Sequence, residues 1–294
     1  MKMGAIFPHF EFGTDADAVR DFAQTAEGLG YNHIGADDHV IGPNPDRPGG
    51  WTGWVTYETA FYEPMTLFSF MAAVTTTLSF NTWILLLPQR QTVLVAKQAA
   101  TLDILSKGRL RLGLGVGWNE IEYIALNADF HTRGKRVEEQ VALLRQLWTQ
   151  ELVDFKSEWH HIPDAGINPL PVQRPIPLWF GGQSEPAIRR AARIGDGWMP
   201  LFTEPEEAKP SIDLLDRCLD EAGRSRADFG LEARIPYGSG DPEVWQRLLE
   251  DWQRVGATHA VLQTTNCGFD TPTAHMEALR RFAEATGLHD GGIQ

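Results

Sequence analysis

Eight short β-prone runs alternate with eight helical patterns along this chain, and that alternation limits its fold more than any single motif does. The runs are "MGAIF" (3–7), "NHIGA" (32–36), "LSFNTWILLL" (78–87), "RLRLGLGV" (109–116), "IPLWFGG" (176–182), "GWMPLF" (197–202), "LEARIPY" (231–237) and "HAVLQTT" (259–265). Apolar residues recur at helical spacing behind the first run (Val19, Phe22, Ala23, Ala26, Leu29) and behind the fourth (Val137, Val141, Leu144, Trp148). Further helical patterns cover about 64–76, 91–106, 184–194, 205–223, 242–255 and 273–286. Six helices stop at a glycine (Gly30, Gly108, Gly195, Gly223, Gly256 and Gly287), which predicts left-handed closing residues. Strand–helix alternation implies a parallel sheet. Eight units in 294 residues close most simply into a single α/β domain over 1–294, a (β/α)8 TIM barrel with insertions at about 40–63 and 151–176.

The barrel reading decides what the glycine run "RLRLGLGVGWNE" (109–120) is for. Gly113, Gly115 and Gly117 do not have dinucleotide-fingerprint spacing, and they follow the fourth strand rather than the first. Barrel sites are built where strands end. Those ends deliver His9; Asp37, Asp38 and His39; Asn81, Thr82 and Trp83; "GVGWNE"; and "GGQSE". The 40–63 loop follows His39 and joins prolines and glycines to Trp51 and Trp54, a composition suited to a lid or substrate wall. The 151–176 insertion starts on the opposite face and is given no catalytic role.

Each motif also has a plain structural reading. The "GLGVG" glycines serve either a close strand contact or a phosphate. "GGQSEPAIRRAA" puts Gly181 and Gly182 at a strand end, Ser184 as an N-cap and Pro186 early in a helix, which leaves backbone N–H groups facing the barrel mouth, or else is simply a well-capped helix. Asp38 and His39 are either a proton-handling pair or a turn with a solvated imidazole. Glu63 before Pro64 reads as a helix start, and "RGKR" (133–136) as a basic helix start whose charge could assist an anionic cofactor tail.

Net charge of −13 argues against nucleic acid and anionic membranes as partners. No apolar stretch reaches signal-peptide or membrane-spanning length, so the expected location is the cytoplasm. Cys218 and Cys267 lie far apart without metal-type spacing and read as ordinary buried thiols; no metal site is expected.

Taken together, "DHV", the segment "EPMTLFSF" through "GWNEIEY", "RGKRVEEQVALLRQLW" and "PVQRPIPLWFGGQSEPAIRRAARIGDGWMP" resemble the luciferase-like monooxygenase superfamily. The resemblance is greatest to its branch of deazaflavin oxidoreductases that use coenzyme F420, and it runs from about residue 3 to 202. It implies a flavin or deazaflavin at the barrel mouth and a homodimer through the second and third helices. It places Asp38 and His39 near the reactive ring and a cis peptide at Thr82–Trp83 behind it. Ring and phosphate contacts then fall to Gly115, Gly117, Trp118 and Asn119 and to Gly181, Gly182, Gln183 and Ser184. In sugar-phosphate dehydrogenases of that branch an acid follows the strand-four glycines. Here Trp118 stands there and Glu120 comes later, which argues against a sugar phosphate and, with Trp51 and Trp54, for an apolar or aromatic substrate.

The expected chemistry is hydride transfer between F420 and a small organic molecule, with His39, oriented by Asp38, moving the proton and His9 as alternate. Two readings compete with it. One is a reduced-FMN monooxygenase fed by a separate reductase; the other is a cofactor-binding protein without turnover.

Overall fold

A computed structural model describes residues 1–288. The strands in chain order are β1 (Lys2–Ile6), β2 (His33–Ala36), β3 (Ser79–Leu86), β4 (Leu110–Gly115), β5 (Val153–Lys156), β6 (His161–Ala165), β7 (Leu178–Gly181), β8 (Gly197–Met199), β9 (Gly230–Pro236) and β10 (His259–Gln263). All but β5 and β6 pair in parallel and close a barrel in the order β1-β10-β9-β8-β7-β4-β3-β2. The eight expected runs are the eight barrel strands, and the fold is a (β/α)8 barrel. The single-domain expectation extends to 294; residues 289–294 lie outside the described residues.

The helices are α1 (His9–Phe12), α2 (Ala16–Gly28), α3 (Pro64–Ala73), α4 (Thr92–Leu105), α5 (Glu120–Ala125), α6 (Arg133–Thr149), α7 (Glu185–Ile194), α8 (Pro205–Glu221), α9 (Pro242–Arg254) and α10 (Pro272–Thr286). Proline occupies the first turn of α3, α7, α8, α9 and α10, where its missing N–H costs nothing. Glu63 caps α3 by accepting from the Thr66 N–H, as its position before Pro64 implies. Gly195 departs from the expected helix-closing role: its φ is −96°. A Cβ there would sit 2.8 Å from both the Ala191 carbonyl oxygen and the Phe180 ring, so glycine is needed for close approach and not for handedness.

The main core lies between barrel and helices. Trp148, Trp198, Trp245 and Trp252 are fully buried in it. Each donates its indole N–H to a backbone carbonyl, those of Ala96, Gly182, Tyr237 and Thr203 respectively. Inside the barrel the layer nearest the strand starts is polar. Glu232 of β9 meets His33, Asn81 and Arg111 there, where such barrels ordinarily stack Val, Ile and Leu.

The 151–176 insertion contains the antiparallel β5–β6 hairpin, which the sequence reading did not anticipate. Its His160 bonds Glu139 of α6 at 2.7 Å and Thr92, the first residue of α4, at 2.6 Å. The insertion therefore braces two helices on the outside of the barrel. Cys218 is buried, whereas Cys267 is only partly so, contrary to expectation.

Burial lowers the pKa of His9 to about 3 and of His275 to about 4, from an ordinary 6.5. The unfolded chain takes up these protons first, so the stability they contribute is complete above pH 6.5 and drains as pH falls toward 4. Urea melts are expected to show declining stability over that window, with a shallower slope in His275→Gln. An identical slope in that variant would clear His275 of the effect.

Candidate functional site

The C-terminal mouth of the barrel is lined by the chain leaving β2, the β3 bulge, the β4 exit, the β7 exit and the 40–63 loop. His39 Nδ1 lies 3.2 Å from both carboxylate oxygens of Glu122 on α5. Glu122 is fully buried and its Oε1 also accepts the Val40 N–H at 2.8 Å. A carboxylate can only accept, so His39 donates from Nδ1, and in the neutral imidazole this tautomer leaves the lone pair on Nε2. That is the arrangement of a proton acceptor held by a fixed partner.

Asp38 does not orient His39. Its carboxylate accepts from the Leu86 N–H at 2.9 Å and from Arg90 at 2.7 Å, and Arg90 also reaches Glu63 at 3.1 Å. Burial pushes the Asp38 carboxyl above its ordinary range, with Arg90 opposing. Asp38 thus ties β2 to the end of β3, and Glu122 holds the place assigned to it. Glu122 lies four residues beyond Trp118, in the first turn of α5.

Aromatic rings surround His39. Phe61 lies at 4.9 Å, and Trp54 and Trp118 each at 5.8 Å in edge-on geometry. Trp51 stacks on Trp118 with centroids 5.7 Å apart and donates its N–H to Val55. The 40–63 loop and the β4 exit therefore share one aromatic wall. Between the loop and His39 lies a cleft of about 250 Å³ lined by Ile41, Val55, Tyr57 and Phe61. His9 is buried beneath Phe61 and Tyr62. Its Nδ1 accepts the Tyr62 N–H, so Nε2 carries the hydrogen and has no partner among the described residues. Asp37, beside His39 and opposite Arg234, is pushed up to about 7 by burial.

The cis peptide is at Trp83–Ile84, one residue beyond the expected Thr82–Trp83 bond. The register between β3 and β4 slips between Thr82 and Leu85, so the bulge residues are Trp83 and Ile84. Thr82 donates its hydroxyl to the Gly113 carbonyl, and Trp83 turns its indole inward to Glu232 at 3.1 Å. The bulge also explains three glycines. A Cβ on Gly113 would overlap the Thr82 carbonyl, one on Gly181 would overlap Ile84, and one on Gly115 would come within 3.0 Å of Ile84. The close-strand-contact reading of "GLGVG" accounts for Gly113 and Gly115. Asn119 caps α5 through the Ile121 N–H, and Trp118 is 45% exposed.

At the β7 exit, Ser184 occupies the N-cap position of α7 but its hydroxyl makes no cap bond. Among the described residues the backbone N–H groups of Gln183, Ser184 and Glu185 have no acceptor. Gly182 has φ +107°, so a side chain there is strained as well as obstructive. The "RGKR" start of α6 lies alongside: Arg190 of α7 donates to the Gly134 carbonyl at 3.0 Å, and the Arg136 Nε is buried and unpartnered. The first turn of α6 thus packs against the second turn of α7, where Arg190 is also paired with Glu138, and the groups at this exit left to hold an anion are the N–H groups at 183–185. No cluster of His, Cys, Asp and Glu among the described residues could hold a metal ion.

The mouth can therefore move a proton at His39, enclose an apolar molecule and hold an anionic group. Residues 1–289 match the family model described as "Luciferase-like monooxygenase". An uncharacterized protein of Mycobacterium tuberculosis is 36% identical over 226 residues, which cover 74% of this chain and 77% of that one. The F420-dependent hydroxymycolic acid dehydrogenase of the same organism is 26% identical over 254 residues, covering 85% and 66%. Among solved structures, an F420-dependent secondary alcohol dehydrogenase in complex with an F420-acetone adduct superposes with a TM-score of 0.77 at 19% identity, covering 98% of this chain and 99% of that one, a likeness of fold. The match along almost the whole chain and the closed parallel barrel lead to one assignment: the chain belongs to the luciferase-like monooxygenase family.

Proposed function

We propose that this protein is a coenzyme F420-dependent oxidoreductase that transfers hydride to or from a small, largely apolar organic substrate. The observation that carries the reading is the His39–Glu122 pair, set within an aromatic wall in a mouth that also offers unpaired N–H groups at residues 183–185. The F420-dependent dehydrogenase among its relatives supports the choice of cofactor. The family's description as monooxygenases favours FMN with a separate reductase as the second reading.

A deazaflavin bound at the mouth would supply a ring carbon that exchanges hydride. Thr82, Trp83, Gly115, Gly117, Trp118 and Asn119 would border the ring, and Gly181, Gly182, Gln183 and Ser184 the phosphate. His39 Nε2 takes a proton from the substrate or returns one, while Glu122 fixes its tautomer. Trp51, Trp54 and Phe61 exclude water from the reacting atoms, and His9 offers its Nε2–H from below. Releasing the cofactor from natively purified protein and measuring its mass tests the assignment; FMN alone would sink the F420 reading.

Two variants separate cofactor from substrate. The Ser184 hydroxyl caps nothing, so Ser184→Ala should leave stability unchanged while weakening cofactor binding by about 3- to 10-fold, one hydrogen bond's worth. Unaltered affinity removes Ser184 from the phosphate site. Trp54 is 57% exposed and edge-on to His39. Trp54→Ala should raise KM for an apolar substrate by roughly tenfold while cofactor affinity stays within about twofold. Loss of cofactor instead would overturn the lid reading of the 40–63 loop.

Phe70 on α3 and Val93, Leu94 and Leu105 on α4 are exposed apolar residues on the second and third barrel helices. They support a homodimer through that face. Location in the cytoplasm is supported by two free thiols; no described helix is long and apolar enough to cross a membrane.

A further inference from the structure

The opposite end of the barrel, where the strands begin, carries a second cavity, of about 320 Å³, lined by Lys2, His33, Asn81, Arg111, Trp179 and His259. This is the end at which such barrels normally serve stability alone. Its wall is built around one carboxylate. Glu232 Oε1 lies 2.6 Å from His33 Nε2 and 2.7 Å from Arg111 Nη2, so the imidazole and the guanidinium are immediate neighbours. Glu232 Oε2 accepts from Asn81 at 3.0 Å and Trp83 at 3.1 Å. With four donors on its two oxygens the carboxylate is fully engaged. The Arg111 guanidinium is also clamped 3.9 Å over the Trp179 ring, which stands edge-on to His259.

Three polar atoms remain, Asn81 Oδ1 among them. His33 is 2% exposed, and its Nδ1 has no partner among the described residues; the same holds for Arg111 Nη1. Burial lowers the His33 pKa, and the neighbouring Arg111 guanidinium acts in the same direction; with Nε2 donating to the carboxylate, the neutral ring presents Nδ1 as an acceptor. The cavity wall thus sets one charged donor beside two neutral acceptors, His33 Nδ1 and Asn81 Oδ1, both of which call for a ligand that brings hydrogen. Lys2 adds positive charge at the rim. Surrounding small residues make room for these groups: a Cβ on Gly4 would overlap the His33 ring, and one on Gly197 or Gly230 the Trp179 indole.

We propose that this N-terminal mouth binds a small oxyanion that retains an O–H, of the hydrogenphosphate type, with one oxygen accepting from Arg111 Nη1 and the O–H donating to His33 Nδ1. The requirement for a donor distinguishes it from a site for any anion. Sulfate, which has no proton at neutral pH, leaves Nδ1 without a donor and meets its lone pair with another. The site is separate from the catalytic mouth, and its occupant is either free phosphate or the phosphate of a monoester whose remainder extends into solvent.

The test uses the full chain labelled with ¹⁵N-histidine, with the His33 Nδ1 resonance assigned through His33→Gln. Inorganic phosphate at neutral pH should shift that resonance saturably, and sulfate should bind at least about tenfold more weakly. Lys2→Gln should weaken phosphate binding by about threefold, whereas Ser184→Ala at the other mouth should leave it unchanged. Glycerol phosphate tells the sources apart: tighter binding than inorganic phosphate identifies a monoester, weaker binding free phosphate. No shift up to roughly 50 mM, the outcome for a mouth that holds only water, would overturn the proposal. So would equal affinity for sulfate, or a shift lost in Ser184→Ala and kept in Lys2→Gln.

Discussion

His39→Ala is expected to lower turnover by about 10²- to 10⁴-fold at saturating cofactor and substrate, the range for a group that moves a proton in the transition state. Cofactor affinity stays within about threefold, because the imidazole faces the aromatic wall and Glu122 rather than the 183–185 turn. Glu122→Gln is the sharper companion. A glutamine amide can donate to Nδ1, which would move the imidazole hydrogen to Nε2 and remove the lone pair the reaction needs. Turnover should fall by about 10- to 100-fold, with the acid limb of the kcat pH profile displaced. Asp38→Asn, by contrast, disturbs Arg90 and the end of β3, so it should lower stability and leave the shape of that profile unchanged. If Asp38→Asn displaces the profile and Glu122→Gln does not, the tautomer argument fails. Full turnover in His39→Ala would hand the proton to His9 or to solvent.

The mistaken partner for His39 shows where local reading stops. Asp38 and His39 are adjacent as the chain leaves β2, and successive side chains on extended chain point to opposite sides, so adjacency itself argues against their touching. Their real partners lie 52 and 83 residues away, on the far side of strand crossovers that no periodicity specifies. Glu122 did leave a trace: Asn119 is a good N-cap, and a short helix after it places Glu122 at the position that turns back toward the cap. Six residues are too few for a hydrophobic stripe to announce that helix. The eight barrel strands were legible because their apolar runs face helices along the outside. The β5–β6 hairpin, mostly exposed, carries no such signal. In β9 the alternation was in plain view: Leu231, Ala233 and Ile235 pack against helices, while Glu232 and Arg234 interrupt them at period two, two charges on the inward face of a barrel.

That inward carboxylate is where the largest loss of stability is expected. Burial alone would push Glu232 up; Arg111 and His33, with their hydrogen bonds, overcome it and hold the carboxyl far below its ordinary 4.5. Glu232→Leu leaves the Arg111 guanidinium buried without its counter-charge and Asn81 and Trp83 without an acceptor, at a cost of about 3–5 kcal/mol. In a domain of this size that lowers Tm by about 5–8 °C. The double variant Glu232→Leu/Arg111→Met removes both charges and should recover at least about 1 kcal/mol relative to the sum of the single costs. Should the single variants prove too unstable to purify, Glu232→Gln keeps the shape and removes only the charge. Its readout is pH. A carboxylate with a depressed folded pKa contributes stability that is complete above about 4.5 and lost as pH falls below it, so the wild-type protein should lose stability there more steeply than Glu232→Gln does. Parallel curves below pH 4.5, together with additive single and double costs, would mean that the ring of polar groups around Glu232 is held by packing and that its charge contributes nothing.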